Sequence, residues 1–301
     1  MIIKHSATLF SLMFLVSSNS LALELRLTNN TVADNDPAFS PNGNTVVFES
    51  NRSGHFEIFT VPATGGAATQ ITFDSYWNFS PNWHPIDNKI VFSSTRNGYT
   101  HLYTIPSNGG VETQLTSGNY DDLNPDYSPN GTKVCFVSNR FSSGWDVCTM
   151  PANGGTITRI TTQNEAETPD WSHDGNWIAF FSQFPDVMSV WKVPSNGGPE
   201  TRICYGGPFP TWSPNSTMLA FTDYGGTPIG DHIFTVLAGG GLKTQRTCHP
   251  IDLQPNWSPD GQKIVYAQTL SDPQQTDIFV MNLSESPVEP SSLGCLKAIY
   301  H

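Results

Sequence analysis

Hydrophobic and polar residues alternate along this chain in short bursts, and the bursts recur. Residues 45–49 alternate, 51–55 are polar, and 58–61 are apolar at nearly every position. Beyond the N-terminal segment, no stretch carries apolar residues at sustained helical spacing, so the pattern predicts strands and turns. A strand with one wet face alternates, whereas one covered on both faces does not. The apolar runs at 58–61, 102–105, 147–150, 190–193, 233–236 and 278–281 therefore predict strands packed from both sides.

The bursts form a repeat. A proline two residues before an aromatic anchors each copy: Pro37, Pro81, Pro125, Pro169, Pro210 and Pro255, at spacings of 44, 44, 44, 41 and 45. Two positions on stand Phe39, Trp83, Tyr127, Trp171, Trp212 and Trp257, and eleven positions on stand Phe48, Phe92, Phe136, Phe180, Phe221 and Tyr266. Each copy reads as an inner strand, an S-P-N-G-like turn, a second strand, a polar loop, the doubly covered third strand, a Gly-Gly turn and a short outer strand ending in Thr. Four strands in about 40–45 residues, repeated, describe a β-propeller blade. The sixth copy has only its first three strands, while residues 25–28 (LRLT) match outer-strand endings such as 114–116. The expected fold is all-β, a six-bladed propeller over 24–283, whose last blade is closed by the N-terminal strand. That closure removes the free sheet edge.

The unit P-x-[FW]-S-P-N-G…V-F-x-S-N-R…I-F-x-V-P…G-G…I-T resembles the PD40, or TolB-like, repeat of the WD40-like propellers, and does so from Leu25 to about Asn282. The resemblance implies a propeller that binds a protein or peptide at one mouth of its channel, as TolB binds the lipoprotein Pal in the periplasm. It covers the propeller part alone. TolB carries an α/β domain before its propeller, and here little more than Glu24 separates the expected leader from the closing strand. Similar repeats occur in peptidases and in polysaccharide lyases, so fold alone does not decide function. The tail, 284–301, holds no G-x-S-x-G nucleophile elbow.

Composition adds an address. Lys4 and His5, an apolar run over 7–16 and a small polar stretch ending at Ala22 read as a signal peptide over 1–22, so the protein is expected to be periplasmic or secreted. The apolar run is shorter than the roughly 20 residues a membrane span needs. The formal net charge of -12 argues against nucleic acid, whose phosphates require Lys and Arg. A monomer is expected. Five cysteines suit an oxidising compartment. Cys135 and Cys148 fall on neighbouring strands, where a local bridge and two small buried hydrophobes are both open readings.

Candidate chemistry lies in the loops. The turns fall on one face of a propeller; the loops entering each blade, and those between second and third strands, fall on the other. This entry face is expected to carry Asp34, Asp36, Asp121, Asp122, Glu165, Glu167 and Asp252 near the channel mouth, with Tyr76, Trp77, Tyr120 and Tyr99 around them. Arg52, Arg96, Arg140 and His55 stand further out. Such a mouth would accept a basic peptide, or a hard cation such as Ca²⁺ or Mg²⁺ through its oxygens. The arginines are expected to pair with carboxylates of the next blade, Arg96 with Asp122 and Arg140 with Glu167. The alternative function is a metal-dependent polysaccharide lyase or hydrolase using loop carboxylates and the histidines His55, His101, His232 and His249.

Overall fold

The computed structural model describes residues 24–283 apart from 142, 184, 227–228 and 271–273. The expected leader and tail lie outside the described residues. Every regular element described is a strand, from β1 (Leu25–Arg26) to β24 (Thr276–Asn282). In blade one, β2 (Asp34–Phe39), β3 (Thr45–Ser50), β4 (Glu57–Pro62) and β5 (Thr69–Gln70) form an antiparallel meander, and blades two to five repeat it. Blade six has the order β1-β24-β23-β22, with β22 at Asp252–Trp257 and β23 at Lys263–Thr269. The N-terminal strand therefore closes the last blade, as the strand count predicts. Leu25 pairs with Val280 and Arg26 with Phe279, and the Leu27 N–H donates to the Ile278 carbonyl at 2.7 Å.

The core is a ring of six seams. Each cluster of buried apolar residues is built by two adjacent blades: Val46, Phe48 and Val61 of blade one pack on Val265, Ala267 and Ile278 of blade six. Third strands lack alternation because their two faces serve different seams. Ile58 packs with blade two, while Phe59 and Val61 pack with blade six. The six aromatics eleven residues past the anchors are all essentially dry. Phe48 tilts on Phe59 at 5.9 Å, Phe92 stacks on Tyr103 at 6.0 Å, and Tyr266 stacks on Phe279 at 6.1 Å between centroids. Each such ring contributes roughly 1.5–3 kcal/mol by leaving water.

The same alternation decides the cysteines. Cys135 lies opposite Thr149, and Cys148 opposite Phe136. The two sulfurs therefore point to opposite faces, Cys135 toward blade four and Cys148 toward blade two. The local bridge does not form, and Cys135 and Cys148 are both buried free thiols. Burial pushes the Cys148 thiol up to about 12, with Asp146 adding to it.

Candidate functional site

Each inner strand carries a kink that shapes the channel. The residue before each anchor proline has positive φ, between 46° and 60°, at Asp36, Ser80, Asn124, Thr168, Phe209 and Gln254. In blade one Asn35 pairs with Glu49 but Ala38 with Val47, so Asp36 and Pro37 together oppose Phe48. This is a β-bulge, and the same shift occurs in blades two, three, four and six. A left-handed conformation costs a non-glycine residue of order 1–3 kcal/mol. Here it turns the six side chains toward the axis, where the polar ones bond across blades. Ser80 Oγ donates to Asp36 Oδ2 at 3.0 Å, and Asn124 Nδ2 donates to Ser80 Oγ at 3.1 Å.

A second ring follows one residue past the anchors, at Ala38, Asn82, Asp126, Asp170, Thr211 and Asn256. Three of its members accept a backbone N–H of the following blade. Asp126 accepts from the Trp171 N–H at 2.6 Å, Asp170 from the Trp212 N–H at 2.7 Å, and Asn256 from the Phe39 N–H at 3.0 Å. No Lys or Arg lines the channel among the described residues. Burial therefore pushes Asp36 up to about 6 and Asp126 up to about 7, against hydrogen bonds that favour the ionised forms. Burial, and then the neighbouring Asp126 charge, raises Asp170 well above the usual carboxylate range. Burial, and then Asp36, does the same to Glu49, which accepts the Ser80 N–H at 2.9 Å. The oxygens here are of the kind that hard cations take. No three His, Cys, Asp or Glu side chains among the described residues converge as a metal-ligating group, in the channel or elsewhere.

Of the seven acids expected around the mouth, only Asp36 lines the channel. Asp34, Asp122 and Asp252 are completely buried at the blade edges. Asp34 takes two bonds from Arg52, both 2.9 Å, and Asp122 takes two from Arg140, at 2.7 and 2.6 Å. The arginines thus bind carboxylates of their own blades, not the next. Ser50, Ser94 and Ser138 explain the direction. Each hydroxyl accepts the Nε–H of the arginine two residues later and curls it back over its own sheet. Arg96 meets Asp74 at 2.9 Å and also Glu112, and lies 4.1 Å from the Tyr103 ring centroid. Neither Arg96–Asp122 nor Arg140–Glu167 forms.

The remaining expected residues stay on the entry face. Asp121 is half-exposed and accepts the Thr100 N–H at 2.8 Å. Glu165 and Glu167 are exposed, and partial burial, then Glu165, raises Glu167. Tyr76, Trp77, Tyr99 and Tyr120 are all exposed, with Trp77 edge-on to Phe56 at 6.1 Å. Nine of the sixteen exposed large apolar side chains described lie in entry-face loops, Phe73, Phe141 and Met188 among them, and Tyr205 and Tyr224 sit at the entry-face ends of their strands. The four loop histidines do not gather into one group; only His232 and His249 share a neighbour, Asp252. His55 bonds Glu57 at 3.1 Å and the Asp74 carbonyl, which, with Glu57, hold its imidazole above the ordinary range against partial desolvation. His101 is buried beside Asp122, and His232 and His249 flank Asp252 in another seam.

These features define a six-bladed propeller with a polar, acid-lined axis and one face studded with aromatics. The chain belongs to the TolB β-propeller domain (PD40) family, whose model matches residues 74–247. An uncharacterized protein of Agrobacterium fabrum is 31% identical over 143 residues, which are 41% of this chain and 47% of that relative. A Tol-Pal system protein TolB of Francisella tularensis is 33% identical over 76 residues, 25% of this chain and 17% of its own length. The chain thus matches less than half of either relative's length. Among solved structures, a putative TolB from Agrobacterium tumefaciens superposes with a TM-score of 0.66 at 20% identity, over 86% of this chain and 96% of that one. An oligogalacturonate lyase in complex with manganese gives 0.59 at 13%, over 89% and 94%. At these identities the likeness is one of fold.

Proposed function

We propose that this protein is an exported, monomeric binding module that docks a protein or peptide partner on its entry face, at and around the channel mouth. The concentration of exposed aromatic and aliphatic side chains on that one face carries the reading. Exposed apolar side chains gathered on one surface mark interaction sites, and Trp and Tyr dominate the hot spots of such surfaces. Tyr76, Trp77 and Tyr120 lie beside Asp74 and Asp121, and the formal charge of the chain is -12, which favours a basic segment. A cation set over Trp77 would gain about 0.5–1 kcal/mol at an exposed site. The leader expected over 1–22 supports export, and the relatives include a Tol-Pal system protein. No helix among the described residues is long and apolar enough to cross a membrane.

The test is binding to an array of cationic, neutral and anionic peptides, measured for the wild type and for two variants. Tyr76→Ala/Trp77→Ala should lose the cationic binders at least tenfold, about 1.4 kcal/mol. Ile86→Ala, an exposed residue of the opposite face, should keep them. Undiminished binding by the double variant would overturn the placement of the site.

A further inference from the structure

The inner strands of blades one, three and six begin with a buried aspartate: Asp34, Asp122 and Asp252. In blades one and three an arginine of the same blade neutralises it. In blade six no arginine reaches the matching place: β22 to β24 follow the chain's last arginine, Arg246, and the one arginine of the blade, Arg26 on β1, pairs with Asp277 instead. Asp252 is nevertheless fully buried. Its cationic neighbours are imidazoles. His249 Nδ1 lies 3.5 Å from Oδ1, and His232 Nδ1 lies 4.0 Å from Oδ2. The far side of His249 turns to the closing strand, with Nε2 3.4 Å from Glu24 Oε2. Glu24 immediately precedes β1, the strand that makes the ring continuous.

We propose that His249 is a proton-operated clasp on the closing strand: protonated, it joins Glu24 at the foot of β1 to Asp252 at the start of β22, and deprotonated it lets that junction loosen. An isolated buried carboxylate is costly, and breaking a buried pair leaves an uncompensated charge. A protonated His249 answers two carboxylates at once, the task that Arg52 and Arg140 perform singly elsewhere. The other titratable groups facing the cluster are His232 from the third strand of blade five, Tyr266 from β23 and Cys248 from the loop before β22. Burial disfavours the charge on His249, but the nearby carboxylate of Asp252, then that of Glu24, holds it above its ordinary value. Burial raises Glu24, opposed by His249 and reinforced by Asp252. Both shifts act in one direction. A raised His contributes stability below about pH 6.5 that is lost as pH rises through its folded value. A raised Glu likewise makes the closed state weaker as pH rises from about 4.3 through its own folded value. The clasp therefore closes in acid and opens in base.

Hydrogen exchange at the Leu27 amide, which bonds the Ile278 carbonyl, tests this in the full chain at a series of pH values from mildly acidic to mildly basic, corrected for intrinsic base catalysis. Protection should fall about tenfold, the equivalent of one pKa unit, as His249 titrates by NMR. The Phe136 amide in blade three should show no such step. His249→Gln should be weakly protected throughout, without the step, and Glu24→Gln should shrink the step while keeping the fold. A step that persists in both variants, or its absence in the wild type, overturns the clasp. So does loss of protection on adding EDTA at constant acidic pH, which would make the bridging cation a metal.

Discussion

Arg52 and Arg140 each cover a carboxylate that touches no water, and these pairs show how a single side chain governs a blade. Truncating Arg140 to Ala leaves Asp122 buried and uncompensated, an expected loss of about 3–5 kcal/mol. Adding Asp122→Asn should recover part of it, because the orphaned charge goes. Urea denaturation of the two variants measures this, and equal losses would remove the charge from the explanation. The residue scale is also where the sequence reads least well. Asp34 and Asp36 are two apart and look alike on an entry loop. The bulge at Asp36–Pro37 breaks the two-residue alternation between them, so Asp36 turns to the axis and Asp34 into the blade. Positive φ at a residue before proline has no compositional mark, since six different residue types occupy or share the role. Asp126 and Asp170 were within reach of the sequence: in P-x-[FW] the aromatic enters a seam, so the middle residue must face the channel.

At the scale of the element, closure was legible because it is a matter of counting. Three strands at one end and LRLT at the other can only be reconciled in one blade. The contacts of β1 show what depends on it. Thr28 Oγ1 donates to Asp277 at 3.0 Å and accepts the Ile278 N–H at 2.9 Å, and Leu27 is buried between blades six and one. Deleting residues 25–28 exposes the edge of β24 and strips Asp277 of both Arg26 and Thr28. The expected outcome is loss of a single cooperative thermal transition and concentration-dependent association, seen by calorimetry and light scattering. A variant that melts as one sharp transition at the wild-type temperature would show the ring closed without this strand. Blade five departs from the repeat in a way that only its spacing of 41 foreshadows. Its inner strand is just Thr211–Trp212. A side chain at Gly206 would lie 2.5 Å from Phe221, and one at Gly207 would lie 2.6 Å from the Thr222 carbonyl, so the chain enters this blade hugging the second strand.

Over the whole molecule, the acids of the axis set a pH dependence whose sign follows from burial. The native channel holds Asp36 near 6 and Asp126 near 7, with Asp170 and Glu49 also raised, whereas an unfolded aspartate titrates near 3.9. Between about pH 4 and 7 the native state therefore binds more protons than the unfolded chain, and stability falls as pH rises. This is the reverse of the salt-bridged carboxylate, whose stabilising effect is lost in acid. The melting temperature should accordingly be highest in mild acid and decline toward pH 7 and above. Asp126→Asn keeps an acceptor for the Trp171 N–H and removes the titrating charge, so it should flatten the decline and raise the melting temperature at pH 8 relative to the wild type. The effect is distinguishable from the clasp at His249, which should leave its mark on β1 rather than on the global transition. A wild-type melting temperature that climbs from pH 5 to 8 would mean that the axial carboxylates ionise without penalty. That in turn would require a counter-charge in the channel, and no lysine or arginine among the described residues lines it.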